Sequence, residues 1–267
     1  MDEVLFGMVS NPFLKSTKNR EIIETSEVKE IESRLNYLKE WKGFGLITGE
    51  AGRGKTTAVR RWADKLNPSS YKVVYIPLST LTAVEFYREL AMGLDCVPAF
   101  RKIDNFKQIQ EAISRFSLEK KITPVIILDE ANYINNAILN ELKMIFNFQM
   151  DSRERAVVIL VGLPVLNNTL NLMMHEPLKQ RIVMNYHIEP LDMMEGRIYI
   201  EAKLKSVKCN EQIFNENAVQ AILNASNGTP RMIDKICNRC LMIAQSKGMD
   251  RINEEIAMSG INDVQLG

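Results

Sequence analysis

The chain has 267 residues, 46% of them hydrophobic and 25% charged, with a formal net charge of +1. That is material for one large globular domain or two small ones, with no global basic signature for nucleic acid, although a local basic face stays open. No run reaches the roughly 18 apolar residues of a membrane span, and the acidic start MDEVLFGMVSNPF lacks the basic and apolar regions of a signal peptide, so the expected location is cytoplasmic with no membrane partner.

In chain order, residues 1–26 read as irregular and polar around Asn11-Pro12-Phe13. Val28, Ile31, Leu35 and Leu38 recur at helical spacing, which predicts a helix over 28–41 that Gly43 ends. A short apolar run at 44–48 enters a glycine-rich turn, and 55–66 follows as helix. YKVVYIP at 71–77 is β-branched and aromatic, as a strand requires. Helices are expected over 82–94 and 106–116. Residues 124–128 are apolar without alternation, which suits a strand buried on both faces. A helix over 135–148, a second apolar strand over 157–161, two short helices flanking Pro177 and a fifth strand over 183–188 complete the pattern. The alternation through residue 190 predicts a parallel α/β sheet with helices on both faces. After Pro190-Leu191 only helices are expected, over 193–204, 216–225, 230–247 and 253–258. The expected division is an α/β core with an N-terminal strap over 1–190 and a small all-helical lid over 191–267.

Cys237 and Cys240 form a CxxC, with Cys96 and Cys209 elsewhere. A zinc site needs a second pair or histidines at ligand spacing, and His175 and His187 do not provide it. Cys237 shares a helix face with Ile233, Cys240 and Leu241, so both cysteines are expected in the core rather than at a metal or redox centre.

Two motifs carry chemistry. Gly49-Glu50-Ala51-Gly52-Arg53-Gly54-Lys55-Thr56 fits GxxxxGK[ST], with Thr57 beside it, between an expected strand and an expected helix. Glycines let backbone N–H groups converge on phosphates, and the helix N-terminus adds its positive dipole end. Lys55 is expected to reach the β- and γ-phosphates of ATP, and the Thr56 hydroxyl to ligate Mg²⁺. The run Val125-Ile126-Ile127-Leu128-Asp129-Glu130 would deliver Asp129 to the carboxyl edge of the sheet, where open α/β folds bind ligands. Asp129 is expected to hold Mg²⁺ directly or through its water shell, and Glu130 to act as general base on the attacking water. Adjacent Asp-Glu marks a hydrolase rather than a kinase. Together the motifs describe a P-loop NTPase that binds and hydrolyses ATP.

With these residues placed, the chain resembles the AAA+ ATPases, and within them the ExeA/GspA-type secretion ATPases and the MuB/TniB-type transposition ATPases. The matching residues are Asn11-Pro12-Phe13, the run from Gly43 to Glu50, Leu128-Asp129-Glu130-Ala131, Leu160-Val161-Gly162-Leu163-Pro164, Gln180-Arg181-Ile182 and Gly228-Thr229-Pro230-Arg231. The resemblance implies that Arg231 is the sensor-2 arginine, reaching the γ-phosphate from the lid. It implies that Arg181 is an arginine finger serving a neighbouring subunit, with Lys179 as fallback, since arginine stabilises transition-state charge in trans. It places Phe13 near the adenine, the alternative being a hydrophobic staple on the core. One position departs from the family pattern: Leu163 stands where a polar sensor-1 residue is usual. Either Asn167 or another group substitutes, or hydrolysis is slow.

The resemblance further implies a homo-oligomer, ring or filament, that forms with ATP. Its first implied role is a duplex-DNA ATPase that selects transposition targets for a transposase. The second is a secretion ATPase of the ExeA/GspA kind. A third reading, from another class and kept by Leu163, is a nucleotide-dependent switch that barely hydrolyses ATP and only recruits a partner. The secretion proteins typically continue into a membrane span, and this sequence ending at Gly267 favours the first role as an expectation. Candidate DNA contacts are Arg101, Lys102 and Lys107, Lys120-Lys121, Arg153 with Arg155, and Arg60-Arg61.

Overall fold

The computed structural model describes residues 6, 8, 10–14, 23–77, 81–148, 154–209 and 212–266. Two compact units result: one combines the described residues up to Val28 with Gly52–Gly54 and Glu189 onward, and the other holds Lys29–Ala51 and Lys55–Ile188.

The second unit is an α/β sandwich. In chain order it contains α1 (Ser26–Trp41, whose first turn counts with the other unit), β1 (Gly43–Thr48), α2 (Lys55–Asp64), β2 (Tyr71–Pro77), α3 (Ala83–Gly93), α4 (Lys102–Ser114), β3 (Thr123–Asp129), α5 (Asn136–Ile145), β4 (Val157–Gly162), α6 (Val165–Leu170), α7 (Glu176–Lys179) and β5 (Ile182–His187). The five strands run parallel in the order β2-β3-β4-β1-β5. The three central strands are buried almost throughout, whereas the edge strands β2 and β5 show partly exposed residues along their length. This is the difference that continuous apolar runs and mixed sequences predict. Phe44, Leu46, Ile126, Leu128, Val158 and Leu160 pack with α3, α4 and α5 in one core. Pro177 lies inside the first turn of α7 rather than between two helices, a position where its missing N–H costs nothing.

The first unit is helical: α8 (Met193–Ser206), α9 (Glu216–Ser226), α10 (Pro230–Ser246) and α11 (Glu254–Leu266). One isolated parallel bridge, Phe214 to Ile252, is the strand-like pairing that the sequence did not signal. Gly228 must be glycine, because it has φ +61° and an added Cβ would lie 2.0 Å from the Leu191 carbonyl oxygen.

The N-terminal strap departs from expectation. Its described residues belong with the helices and not with the α/β unit. Asn11 Nδ2 donates to Asn238 Oδ1 at 2.8 Å, and Lys203 Nζ donates to the Pro12 carbonyl at 3.3 Å. Phe13 is 5% exposed and meets Phe214 edge-on at 6.2 Å. It is a staple of the helical core, so the expectation of an adenine neighbour is corrected: an aromatic ring this buried has no free face for a base. Cys237 and Cys240 are buried in the same core, and burial raises both thiols, Cys240 to about 12. They are packing residues. Among the described residues, no helix is long and apolar enough to cross a membrane.

Candidate nucleotide site

β1 and α2 are joined by the glycine turn. Gly52 and Gly54 have φ of +84° and +95°, and nothing lies within 4 Å of a Cβ built on Gly54. Glycine at 54 therefore answers to backbone conformation and leaves open space where a phosphate-sized group needs it. Lys55 Nζ donates to the Gly49 and Glu50 carbonyls at 2.7 and 2.9 Å, tying the helix start back to the strand end. Glu50 and Ala51 are exposed, while Arg53, Lys55 and Thr57 are partly buried around the turn.

The second motif arrives from β3, one strand beyond β4. Asp129 is 4% exposed. Its Oδ2 accepts from the Thr56 hydroxyl at 2.8 Å and from the Tyr75 hydroxyl at 2.9 Å, and its Oδ1 accepts from the Glu130 amide at 2.9 Å. Glu130 is exposed with φ 54°, a left-handed turn that frees its carboxylate from the strand. Burial, reinforced by the bond to Asp129, pushes the Tyr75 phenol up to about 12, so it remains a donor at neutral pH. Thr56, Asp129 and Tyr75 also border a cavity of about 260 Å³ that runs along α2.

The oxygen pair of Thr56 and Asp129 suits a hard cation. Thr56 and Asp129 supply two side-chain oxygens at this point. That fits Mg²⁺, which keeps several waters and is bound by one or two side chains together with substrate phosphates.

Within the helical unit, the Arg231 amide donates to the Gly52 carbonyl at 3.3 Å. A Cβ added at Gly52 would lie 2.7 Å from Arg231 Cβ, and the Arg231 side chain is exposed. Arg231 thus stands beside Gly52, the second of the three motif glycines.

Arg181 does not. Its guanidinium donates to the carbonyls of Lys143 and Phe146 at 3.1 and 2.7 Å and to Glu154 at 2.9 Å, it lies 5.4 Å over the Phe44 ring, and 12% of the side chain is exposed. Within its own chain this group ties the start of β5 to the end of α5. Lys179, two residues earlier, is exposed.

Leu163 donates its amide to Asn132 Oδ1 at 3.0 Å. Asn167 Nδ2 donates to Thr48 Oγ1 at 3.4 Å, and Thr48 Oγ1 lies 3.1 Å from His187 Nδ1. Asn167 therefore stands at the root of the glycine turn. The sequence gives Tyr75 and Asn132 no functional mark, and Thr48 and His187 none as partners of Asn167. Each looks like an ordinary strand or loop residue, and only the strand order brings it to the site. Among the basic candidates, Arg155 is buried against Ser114 and Phe148, Arg61 pairs with Glu32, and Lys102 pairs with Glu141. Arg60, Arg101, Lys107, Lys120 and Lys121 are exposed, and Arg153 lies outside the described residues.

Residues 39–170 match the family model for an AAA domain. General secretion pathway protein A of Aeromonas hydrophila is 29% identical over 251 residues, which is 92% of this chain and 45% of that protein. ATP-dependent target DNA activator B of Escherichia phage D108 is 22% identical over 252 residues, which is 91% of this chain and 73% of that protein. Cdc6p from Pyrobaculum aerophilum has a similar structure, with a TM-score of 0.70 at 17% identity over 92% of this chain and 68% of its own. The chain spans under half the length of the secretion protein. The domain match and these relatives support an AAA+ ATPase group, and the structure has the P-loop NTPase fold followed by helices.

Proposed function

We propose that this protein binds ATP with Mg²⁺ at the glycine turn, hydrolyses it, and uses the nucleotide state to control assembly on duplex DNA, in the manner of a transposition target selector. The observation that carries the nucleotide reading is the Thr56–Asp129 contact of 2.8 Å beside a left-handed glycine turn that opens a helix. Backbone N–H groups of 52–56 bind the phosphates, and Lys55 moves from its carbonyl partners to the β- and γ-oxygens. Thr56 and Asp129 hold Mg²⁺, which supplies neutralisation of phosphate charge when bound. Glu130 accepts the proton of the attacking water. Arg231 reads the γ-phosphate from the helical unit. Asn167 or Asn132 orients water in place of the apolar Leu163. Arg181, or Lys179 two residues earlier, is the cation offered to a neighbouring subunit.

The DNA reading rests on similarity to the target DNA activator over most of that protein's length, and on the exposed cations Arg60, Arg101, Lys107, Lys120 and Lys121. The secretion reading is kept by the 29% identity to the Aeromonas hydrophila protein. A transposase partner belongs to the first reading only.

The nucleotide site is tested by Lys55→Ala in a fluorescent-ATP titration. Loss of binding is expected, because its ammonium is the group that meets the β,γ-phosphate charge. Wild-type affinity in a folded Lys55→Ala would remove the site assignment.

A further inference from the structure

Neither motif accounts for the Tyr75 hydroxyl. Tyr75 lies on β2, the edge strand paired with β3, where it stands level with Ile127. The residue is 53% exposed, yet its hydroxyl reaches the buried Asp129 carboxylate at 2.9 Å. Each carboxylate oxygen offers about two acceptor sites. Oδ2 already accepts from Thr56 at 2.8 Å, so Tyr75 fills it. Oδ1 accepts once, from the Glu130 amide at 2.9 Å. One acceptor site is left, and it belongs to Oδ1.

Resting on the nucleotide-site reading above, we propose that Tyr75 is a positioning residue for the metal side of that site: by filling Asp129 Oδ2 it fixes the carboxylate rotamer and reserves Oδ1 for the metal ion or one of its waters. Without the phenol, Oδ2 has a vacant acceptor site, and the carboxylate turns between two ways of meeting the metal. Groups that orient a metal ligand in this way typically contribute 10- to 100-fold in metal affinity.

Tyr75→Phe isolates the hydroxyl. The ring that walls the 260 Å³ cavity stays, so a change in metal binding cannot come from altered cavity walls. The full chain is titrated with Mg²⁺ at a fixed concentration of fluorescent ATP, and Mn²⁺ binding is followed in parallel by electron paramagnetic resonance. In Tyr75→Phe, the Mg²⁺ concentration that half-saturates the tightening of nucleotide binding is expected to rise about 10-fold, and Mn²⁺ affinity to fall alike. Metal-free nucleotide affinity and melting temperature are expected to stay at wild-type values, which a general loss of structure does not allow. Unchanged metal half-saturation in a folded Tyr75→Phe overturns the proposal. So does an equal loss of metal-free affinity. Should Tyr75→Phe not fold, Tyr75→His keeps a ring and a donor, and a folded Tyr75→His with wild-type melting but a metal response differing from wild type by less than the phenylalanine-scale loss supports the hydroxyl as donor, whereas a full loss overturns it. A wild-type chain whose nucleotide binding ignores both Mg²⁺ and Lys55→Ala fails at the earlier step, and removes the site along with the role of Tyr75.

Discussion

Arg181 sits where α7 leads into β5, and its guanidinium holds two carbonyls and the Glu154 carboxylate. Truncation strips those acceptors of their donor, at a cost of about 1–3 kcal/mol for groups so shielded. Arg181→Ala should lower the urea midpoint accordingly while still binding ATP. Lys179→Ala should leave stability within about 0.5 kcal/mol, as surface changes do, and slow turnover in trans. Mixing Lys179→Ala with Lys55→Ala should then restore part of the ATPase rate, because the second variant offers its lysine to the first variant's intact site. An Arg181→Ala chain of wild-type stability but no turnover would assign the finger role to Arg181 rather than Lys179. The tripeptide Gln180-Arg181-Ile182 fits the family pattern, but sequence carries no sign of which carbonyls lie within reach of Arg181.

At the scale of elements, the turn before α7 docks on α5 through His175. The ring is fully buried, with Nε2 2.8 Å from Asn136 Oδ1 and Nδ1 without a hydrogen-bond partner. Burial, and then the charge of Lys143, lowers its pKa below the ordinary value of 6.5. The unfolded chain therefore takes up a proton before the folded chain does. This stability is present above the unfolded value and is lost as pH falls through the folded one, at up to about 1.4 kcal/mol per pH unit. Urea unfolding from about pH 8 to about pH 5 should show wild type losing more stability than His175→Gln. Parallel curves for the two chains would exclude His175 as the source. Element boundaries follow a related logic. α4 starts at Lys102, ahead of the apolar period that begins near Phe106, because the buried Asn105 side chain bonds Ala99 and the Arg101 carbonyl. α11 runs to Leu266, beyond the expected 258, with Ile261 buried in the helical core.

At the scale of the whole molecule, the function proposed depends on assembly. Glu130→Gln keeps the shape of the base without its basicity, so it should trap ATP and stabilise any ATP-dependent oligomer. Electron microscopy of this variant with ATP and duplex DNA should show rings or filaments on the DNA, absent without nucleotide. Wild-type ATPase should rise with DNA, and the rise should fade steeply with salt as phosphate contacts release counterions. Assemblies that ignore DNA would keep the ATPase and favour the secretion reading.

The sequence by itself determined the five-stranded parallel sheet, the helical tail, and the residues of the glycine turn and of the Asp129-Glu130 strand end. It could do so because a positive-φ glycine turn and strand burial each demand particular residue types at fixed, local spacing. Only the tertiary structure decided that the strap joins the helices, that Phe13 and Arg181 are internal fasteners, and that Tyr75 reaches Asp129. Those outcomes depend on which distant segments meet, and the strand order β2-β3-β4-β1-β5 that brings Tyr75 to Asp129 leaves no periodic mark in the chain.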